Sequence, residues 1–182
     1  AFPERIVEPS VASRFAELVA RRARGEPLAY LTGEREFYSL ALEVGPDVLV
    51  PRPETELLVD AVLAHCAART HAKVLDLGTG SGAIGLAVKQ ARPDTVVTAS
   101  DASAAALAVA RGNAERAKLA VRFVESRWFE NLAGQRFDAI VSNPPYVRSE
   151  DVVGALVHEP RLALDGGRDG LGAYRAILSA AQ

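Results

Sequence analysis

Val74-Leu75-Asp76-Leu77-Gly78-Thr79-Gly80-Ser81-Gly82 is an apolar run of strand length that breaks into a glycine-rich turn, and a helical pattern follows it to Gln90. A strand that feeds a turn that opens a helix is the opening unit of an α/β fold. The glycines serve a turn that needs positive φ and a ligand that must approach bare backbone. The alternation continues downstream. Thr95 to Ser100 and Ala120 to Glu125 read as strands on either side of a helix from Ser103 to Lys118, Phe137 to Ser142 as a further strand, and Tyr174 to Ala181 as a helix. Strands separated by helices imply right-handed crossovers and a parallel sheet covered on both faces, so the predicted class is a doubly wound, mostly parallel α/β sheet.

Upstream of the sheet the pattern changes. Ser10 to Arg24 places Val11, Phe15, Leu18 and Val19 on one helical face, with Ser10 as the expected N-cap and Gly25 just past the end. Glu34 to Val44 alternates, with Leu40, Leu42 and Val44 on one side, as a small hairpin does. Pro51-Arg52-Pro53 then stiffens the chain and starts a helix to about Ala68, with an expected buried stripe of Leu57, Leu58, Ala61 and Val62. Arg52 and Glu54 are expected to pair at its start.

Composition narrows the function. Across 182 residues, 21 Lys and Arg against 23 Asp and Glu give a net charge of −2, which disfavours autonomous nucleic-acid binding. The single Cys66 excludes a disulfide framework and fits a reducing compartment, and no apolar run reaches the length of about 18 residues that a membrane span needs, so a cytoplasmic protein is expected. His65, His71 and His158 show no metal-ligand spacing with Cys66, and no metal is expected.

Charge also selects the ligand of the glycine loop. Asp101, 23 residues beyond Gly78 at the tip of the next predicted strand, is placed to accept hydrogen bonds from ribose hydroxyls. A dinucleotide would bring a pyrophosphate to the helix N-terminus, where Asp76 would repel it. S-adenosylmethionine carries a sulfonium and an ammonium instead, and suits that carboxylate. The Gly78-x-Gly80-x-Gly82 spacing also lacks the extra residue of the dinucleotide fingerprint.

Asn143-Pro144-Pro145-Tyr146 follows the strand from Phe137 to Ser142, so it and the glycine loop should face one crevice at the carboxyl ends of the strands. Two prolines fix φ twice, restrict Asn143 and remove two N–H donors. What remains is acceptors, the Asn143 side-chain oxygen and the Pro144 carbonyl, beside the Tyr146 ring. Two acceptors gripping both hydrogens of a planar NH2 group would aim its nitrogen lone pair at an electrophilic methyl. Catalysis would then rest on positioning and electrostatics without a covalent intermediate.

With these residues the chain resembles the protein-(glutamine) methyltransferases of peptide chain release factors, Rossmann-like enzymes that depend on S-adenosylmethionine. The resemblance includes Gly25-Glu26-Pro27-Leu28-Ala29-Tyr30-Leu31-Thr32-Gly33, Glu36-Phe37-Tyr38 and Val50-Pro51-Arg52-Pro53-Glu54-Thr55-Glu56. It continues through Asp76 to Gly82, Ser142 to Tyr146, His158-Glu159-Pro160, Gly166-Gly167 and Asp169-Gly170-Leu171. It implies that Gly78, Thr79, Gly80, Ser81 and Gly82 line the methyl donor, that Asp101 holds its ribose and that Trp128 lies beside its adenine. Asn143, Pro144, Pro145 and Tyr146 would hold the glutamine amide of a release-factor Gly-Gly-Gln loop, with Asn143, Pro144 and Tyr146 as the catalytic set and Asn143 also near the donor. The product would be S-adenosylhomocysteine and the enzyme a monomer. Arg127 stands where the family usually has an acid. The resemblance divides the chain into the end of a helical domain (1–33), a β-hairpin linker (34–50) and a methyltransferase domain (51–182). The absence of Met and of strands beyond 174–181 leads to the expectation that further residues belong to the enzyme. The rival reading is an amino methyltransferase for adenine or guanine, whose exocyclic amine suits the same acceptors. Nicotinamide-dependent oxidoreduction and a non-catalytic binding module fit less well.

Overall fold

The structure, a computed structural model, describes residues 7–180. Helix α1 (Pro9–Ala23) starts two residues earlier than a cap at Ser10 would set it, with Pro9 inside its first turn and Glu8 at the N-cap, so Ser10 is not the cap. Proline's fixed φ and missing N–H suit the first helical position, which moves the cap back. Val11, Phe15 and Val19 do share a face, but that face is exposed. Helix α2 (Leu28–Thr32) ends on Gly33 in the left-handed conformation. Strands β1 (Glu34–Phe37) and β2 (Leu40–Glu43) pair antiparallel as the expected hairpin. Its core-facing side is more than a linker: Phe37, Leu40 and Leu42 join the main core beside Val59, Val88 and Val141.

A short 3-10 turn (Pro53–Thr55) leads into α3 (Glu56–His65), which stops short of Ala68. The buried stripe differs from the expected one. Val59, Val62 and Cys66 are buried while Leu57 and Ala61 face out. Apolar residues fall on almost every side of this helix, so periodicity alone cannot choose its inner face.

The main sheet comprises β3 (Lys73–Leu77), β4 (Val96–Asp101), β5 (Arg122–Glu125) and β6 (Ala139–Val141), all parallel, in the order β5-β4-β3-β6. The chain moves outward from β3 through β4 to β5, then returns to the other side of β3. The carboxyl ends of β3, β4 and β6 therefore flank the switch point where ligands bind in such sheets. Helix α4 (Ala83–Ala91) follows β3 and α5 (Ala104–Ala117) follows β4. One sheet face, with Val74, Val97 and Val141, packs on α3, α4 and the hairpin. Leu75 and Leu77 point the other way, to Leu132, Phe137 and Ile177 of α7 (Gly172–Ala180). Between β6 and α7 lies the short helix α6 (Arg161–Leu164). Among the described residues no helix is long and apolar enough to cross a membrane.

Candidate functional site

The glycine turn leaves β3 and is built against the end of β4. Gly78 and Thr79 donate their backbone N–H groups to the Ser100 carbonyl at 2.8 and 2.9 Å. Gly80 donates to Asp101 Oδ2 at 2.9 Å, and Ser103 donates to Asp101 Oδ1 at 2.9 Å. Asp101 thus fixes the turn and the start of α5 together while facing the cavity. Gly78, Gly80 and Gly82 all have positive φ. A Cβ at Gly78 or Gly80 would meet nothing within 4 Å, so these two present open backbone. At Gly82 a Cβ would come within 2.9 Å of Leu86 and 3.3 Å of Ala110, so this glycine admits close packing of the turn on two helices.

Beneath the turn lies Asp76, with no exposed surface. Its Oδ2 accepts from Thr79 Oγ1 at 2.6 Å and from the Gly85 N–H at 2.9 Å, whereas Oδ1 has no donor. Burial pushes this carboxyl up to about 6, against the two hydrogen bonds, which favour the charged form.

Across the crevice Ser142 Oγ donates to the Leu77 carbonyl at 2.6 Å, pinning the end of β6 to the end of β3 just before Asn143. Asn143 Nδ2 donates to Thr55 Oγ1 at 3.2 Å. The loop beyond is held from behind. Val147 N–H donates to the Leu164 carbonyl at 2.9 Å and Gly166 N–H to the Val147 carbonyl at 2.8 Å. A Cβ at Gly166 would sit 2.8 Å from both the Pro145 carbonyl oxygen and Tyr146 Cα, so only glycine lets the two segments lie this close. Asp165 accepts from Ser149 Oγ at 2.6 Å and from the Gly167 N–H at 2.9 Å, which together with Arg161 holds its carboxyl below the usual carboxylate range.

Gly78, Thr79, Gly80, Ser81, Asp101, Trp128, Asn143, Pro144 and Pro145 line one cavity of about 560 Å³, which is the convergence expected of them. Three of the expected contact residues stand outside its wall: Asp76, Gly82 and Tyr146. The first two support the turn from beneath, and the Tyr146 ring is half-exposed beside the crevice. Trp128 adopts the left-handed conformation, φ 51°, and its carbonyl accepts from Ser126 Oγ at 2.9 Å. Arg127 lines the cavity next to it.

Several wall residues were not singled out from the sequence: Val48, Leu49, Pro51 and Thr55 on the linker side, Pro160 and Leu162 opposite. The two sides are joined by Glu159, which is nearly buried, accepts from the Val50 N–H at 3.0 Å and pairs with Arg52. Arg52 therefore pairs with Glu159 and not with Glu54, because the turn after Pro51 sends its side chain toward the distal loop. Pro51 and Thr55 fall in the Pro-Arg-Pro-Glu-Thr stretch and Pro160 in His-Glu-Pro, which is the only signal for them, and Val48, Leu49 and Leu162 lie outside both stretches.

A glycine turn with open backbone at the end of β3, a carboxylate at the end of β4 and an acceptor-rich tetrapeptide at the end of β6, on this parallel sheet, are the arrangement of the Rossmann-like fold of S-adenosylmethionine-dependent methyltransferases. Residues 53–168 match the methyltransferase small domain and residues 1–33 the PrmC N-terminal domain. The chain belongs to the release factor glutamine methyltransferase family. Relatives bearing that name from Bordetella pertussis and Burkholderia pseudomallei are 50% and 48% identical over 96% of this chain. The chain spans just under two thirds of their lengths, 66% and 65%. Among solved structures, the T. thermophilus 16S rRNA methyltransferase RsmC in complex with AdoMet and guanosine is 26% identical with a TM-score of 0.55, over 69% of this chain and 36% of that one. The METTL16 methyltransferase domain, 20% identical with a TM-score of 0.55 over 78% of this chain and 66% of that one, shares the fold.

Proposed function

We propose that the chain carries the catalytic core of an enzyme that methylates the side-chain amide nitrogen of the glutamine in a release factor's Gly-Gly-Gln loop, using S-adenosylmethionine. The observation that carries this reading is that the bare backbone of Gly78 and Gly80 and the acceptors of Asn143-Pro144-Pro145 open into one cavity. The site suits the donor on its own chemistry. The turn offers open backbone, Asp101 faces the ribose position and Trp128 offers a ring for adenine. When bound, S-adenosylmethionine supplies an electrophilic methyl on a cationic sulfur. Asn143 Oδ1 and the Pro144 carbonyl accept from the two amide hydrogens and hold the nitrogen lone pair toward the donor side of the cavity. An amide nitrogen is a poor nucleophile, so orientation is the main contribution of these residues. The neutral carboxamide of Asn143 accepts without placing a full negative charge beside the sulfonium, and Tyr146 flanks the crevice mouth.

A second reading, methylation of an exocyclic amine of adenine or guanine, draws on the likeness to RsmC, whose structure holds guanosine. The net charge of −2 favours the protein substrate. Incubation of the intact protein with labelled S-adenosylmethionine, release factor and nucleic acid tests both readings. Label is expected on the glutamine of the Gly-Gly-Gln loop, and label in nucleic acid alone would overturn the proposal. Asn143→Ala should lower transfer by a factor on the order of 100 or more while donor binding stays within about threefold. The cytoplasm, where release factors act, is the proposed location.

A further inference from the structure

We infer that Thr55 is a positioning residue for this reaction: it holds the Asn143 carboxamide in the one orientation that presents oxygen to the substrate. The inference rests on the amide clamp proposed above. A carboxamide has a donor end and an acceptor end of nearly equal size, and rotation about its terminal torsion exchanges them unless one end is tied. In this structure Asn143 Nδ2 donates to Thr55 Oγ1 at 3.2 Å, and among the described residues nothing donates to Oδ1. The free acceptor belongs to a residue of the cavity wall, where an incoming NH2 group needs it.

Thr55 is itself held. Its residue is buried at 9% exposure, and its N–H donates to the Arg52 carbonyl at 3.0 Å across the turn. Pro51 and Pro53 fix the backbone on both sides of Arg52, and Arg52 is anchored to Glu159. A β-branched side chain in such a turn has little freedom at χ1. The usual reason for a threonine at a helix start does not apply, because its hydroxyl makes no capping hydrogen bond to α3. Its structural partner is Asn143 instead, 88 residues further along the chain.

Without the hydroxyl the carboxamide would rotate and offer its NH2 group to the substrate NH2 and the cationic donor, a contact between donors. The test uses Thr55→Val, which keeps the shape and removes the hydroxyl, and Thr55→Ser, which keeps the hydroxyl, both in the intact protein. Thr55→Val is expected to lower kcat about tenfold at saturating donor, with S-adenosylhomocysteine affinity by calorimetry unchanged within about twofold. Thr55→Ser should retain kcat within about threefold. The double variant Thr55→Val/Asn143→Ala should be no slower than Asn143→Ala, since the two act as one unit. Thr55→Val at the parental rate, Thr55→Ser as impaired as Thr55→Val, or additive losses would overturn the inference. Side-chain amide NMR separates this outcome from failure of the functional reading. If the parent methylates no release factor, the proposed function fails, but slowed solvent exchange of the Asn143 Nδ2 protons that is lost in Thr55→Val still supports the Thr55 contact. Parent and variant with identical exchange would refute it.

Discussion

Asp76 shows what a single residue can conceal. From the sequence it reads as a carboxylate that favours a cationic ligand, yet the structure buries it completely beneath the turn with one oxygen satisfied twice and the other not at all. Its placement depends on how tightly the turn closes over it, which involves Gly85 on α4: a Cβ there would lie 3.1 Å from Asp76 Oδ2. No local pattern announces that contact. The consequence is a pH dependence with a definite sign. A carboxyl raised from 3.8 to about 6 by burial retains its proton in the folded chain where the unfolded chain has lost it. Its stabilising contribution is therefore complete below about pH 4 and is lost as pH rises through about 6. Asp76→Asn removes this titration, so its stability relative to the parent should rise by about 2–3 kcal/mol between pH 4 and pH 8, measured by urea unfolding at several pH values. A difference that is flat with pH would show that the carboxyl is ionised throughout. Asn143 was easier to read, because two following prolines restrict it by covalent geometry alone.

At the level of elements, the sequence was most informative where period and punctuation agree. β3 covers the apolar run from Val74 to Leu77 and stops at the glycine that ends it, and the hairpin follows its alternation. The Ser103 side chain caps α5 by accepting from the Ala106 N–H at 3.1 Å, as a serine at a helix start should. The inner face of α3 was misread because its apolar residues surround the helix, and only packing against α4 and the hairpin decides which side is buried. How α5 is tied to the donor turn was likewise hidden. Asn113 is a solitary polar residue on the buried side of an alanine-rich helix. Its Oδ1 accepts from the Glu43 N–H at 2.7 Å, and its Nδ2 donates to the Glu43 carbonyl at 3.0 Å and the Ser81 carbonyl at 2.9 Å. One amide thus closes the free edge of β2 as a strand would and fastens the glycine turn to the helix behind it. Asn113→Ala leaves three backbone groups without their partner, the Ser81 carbonyl buried and the two of Glu43 part-buried, and should cost about 2 kcal/mol of stability by chemical denaturation. Weaker binding of S-adenosylhomocysteine should accompany the loss, since Ser81 lines the cavity.

Across the whole molecule, the cavity is closed by segments far apart in sequence, and their meeting point is Glu159. It holds the Val50 N–H and Arg52, while next to it the His158 ring meets the Arg24 carbonyl at 3.0 Å. Tyr30 OH donates to the Val48 carbonyl, joining α2 to the same linker, and burial raises its phenol well above the usual value. The N-terminal helices, the linker and the loop after the Asn-Pro-Pro-Tyr element therefore share one knot, and Val48, Leu49, Pro51 and Pro160 around it form cavity wall. Sequence patterns are local, so a knot of this kind leaves only isolated charged residues in distinctive stretches as its trace. Replacing Glu159 by Ala would leave the Val50 N–H without its acceptor and Arg52 without its partner, at a cost of about 2–3 kcal/mol. Glu159→Gln keeps an acceptor for Val50 and loses only the charge, so it should fall between parent and Glu159→Ala in thermal unfolding. Both variants should bind S-adenosylhomocysteine more weakly in proportion to the stability they lose, because the linker carries one wall of the cavity. If Glu159→Ala unfolds with the parent, the linker is held by Tyr30 and the hairpin core instead, and the pairing with Arg52 contributes nothing to stability.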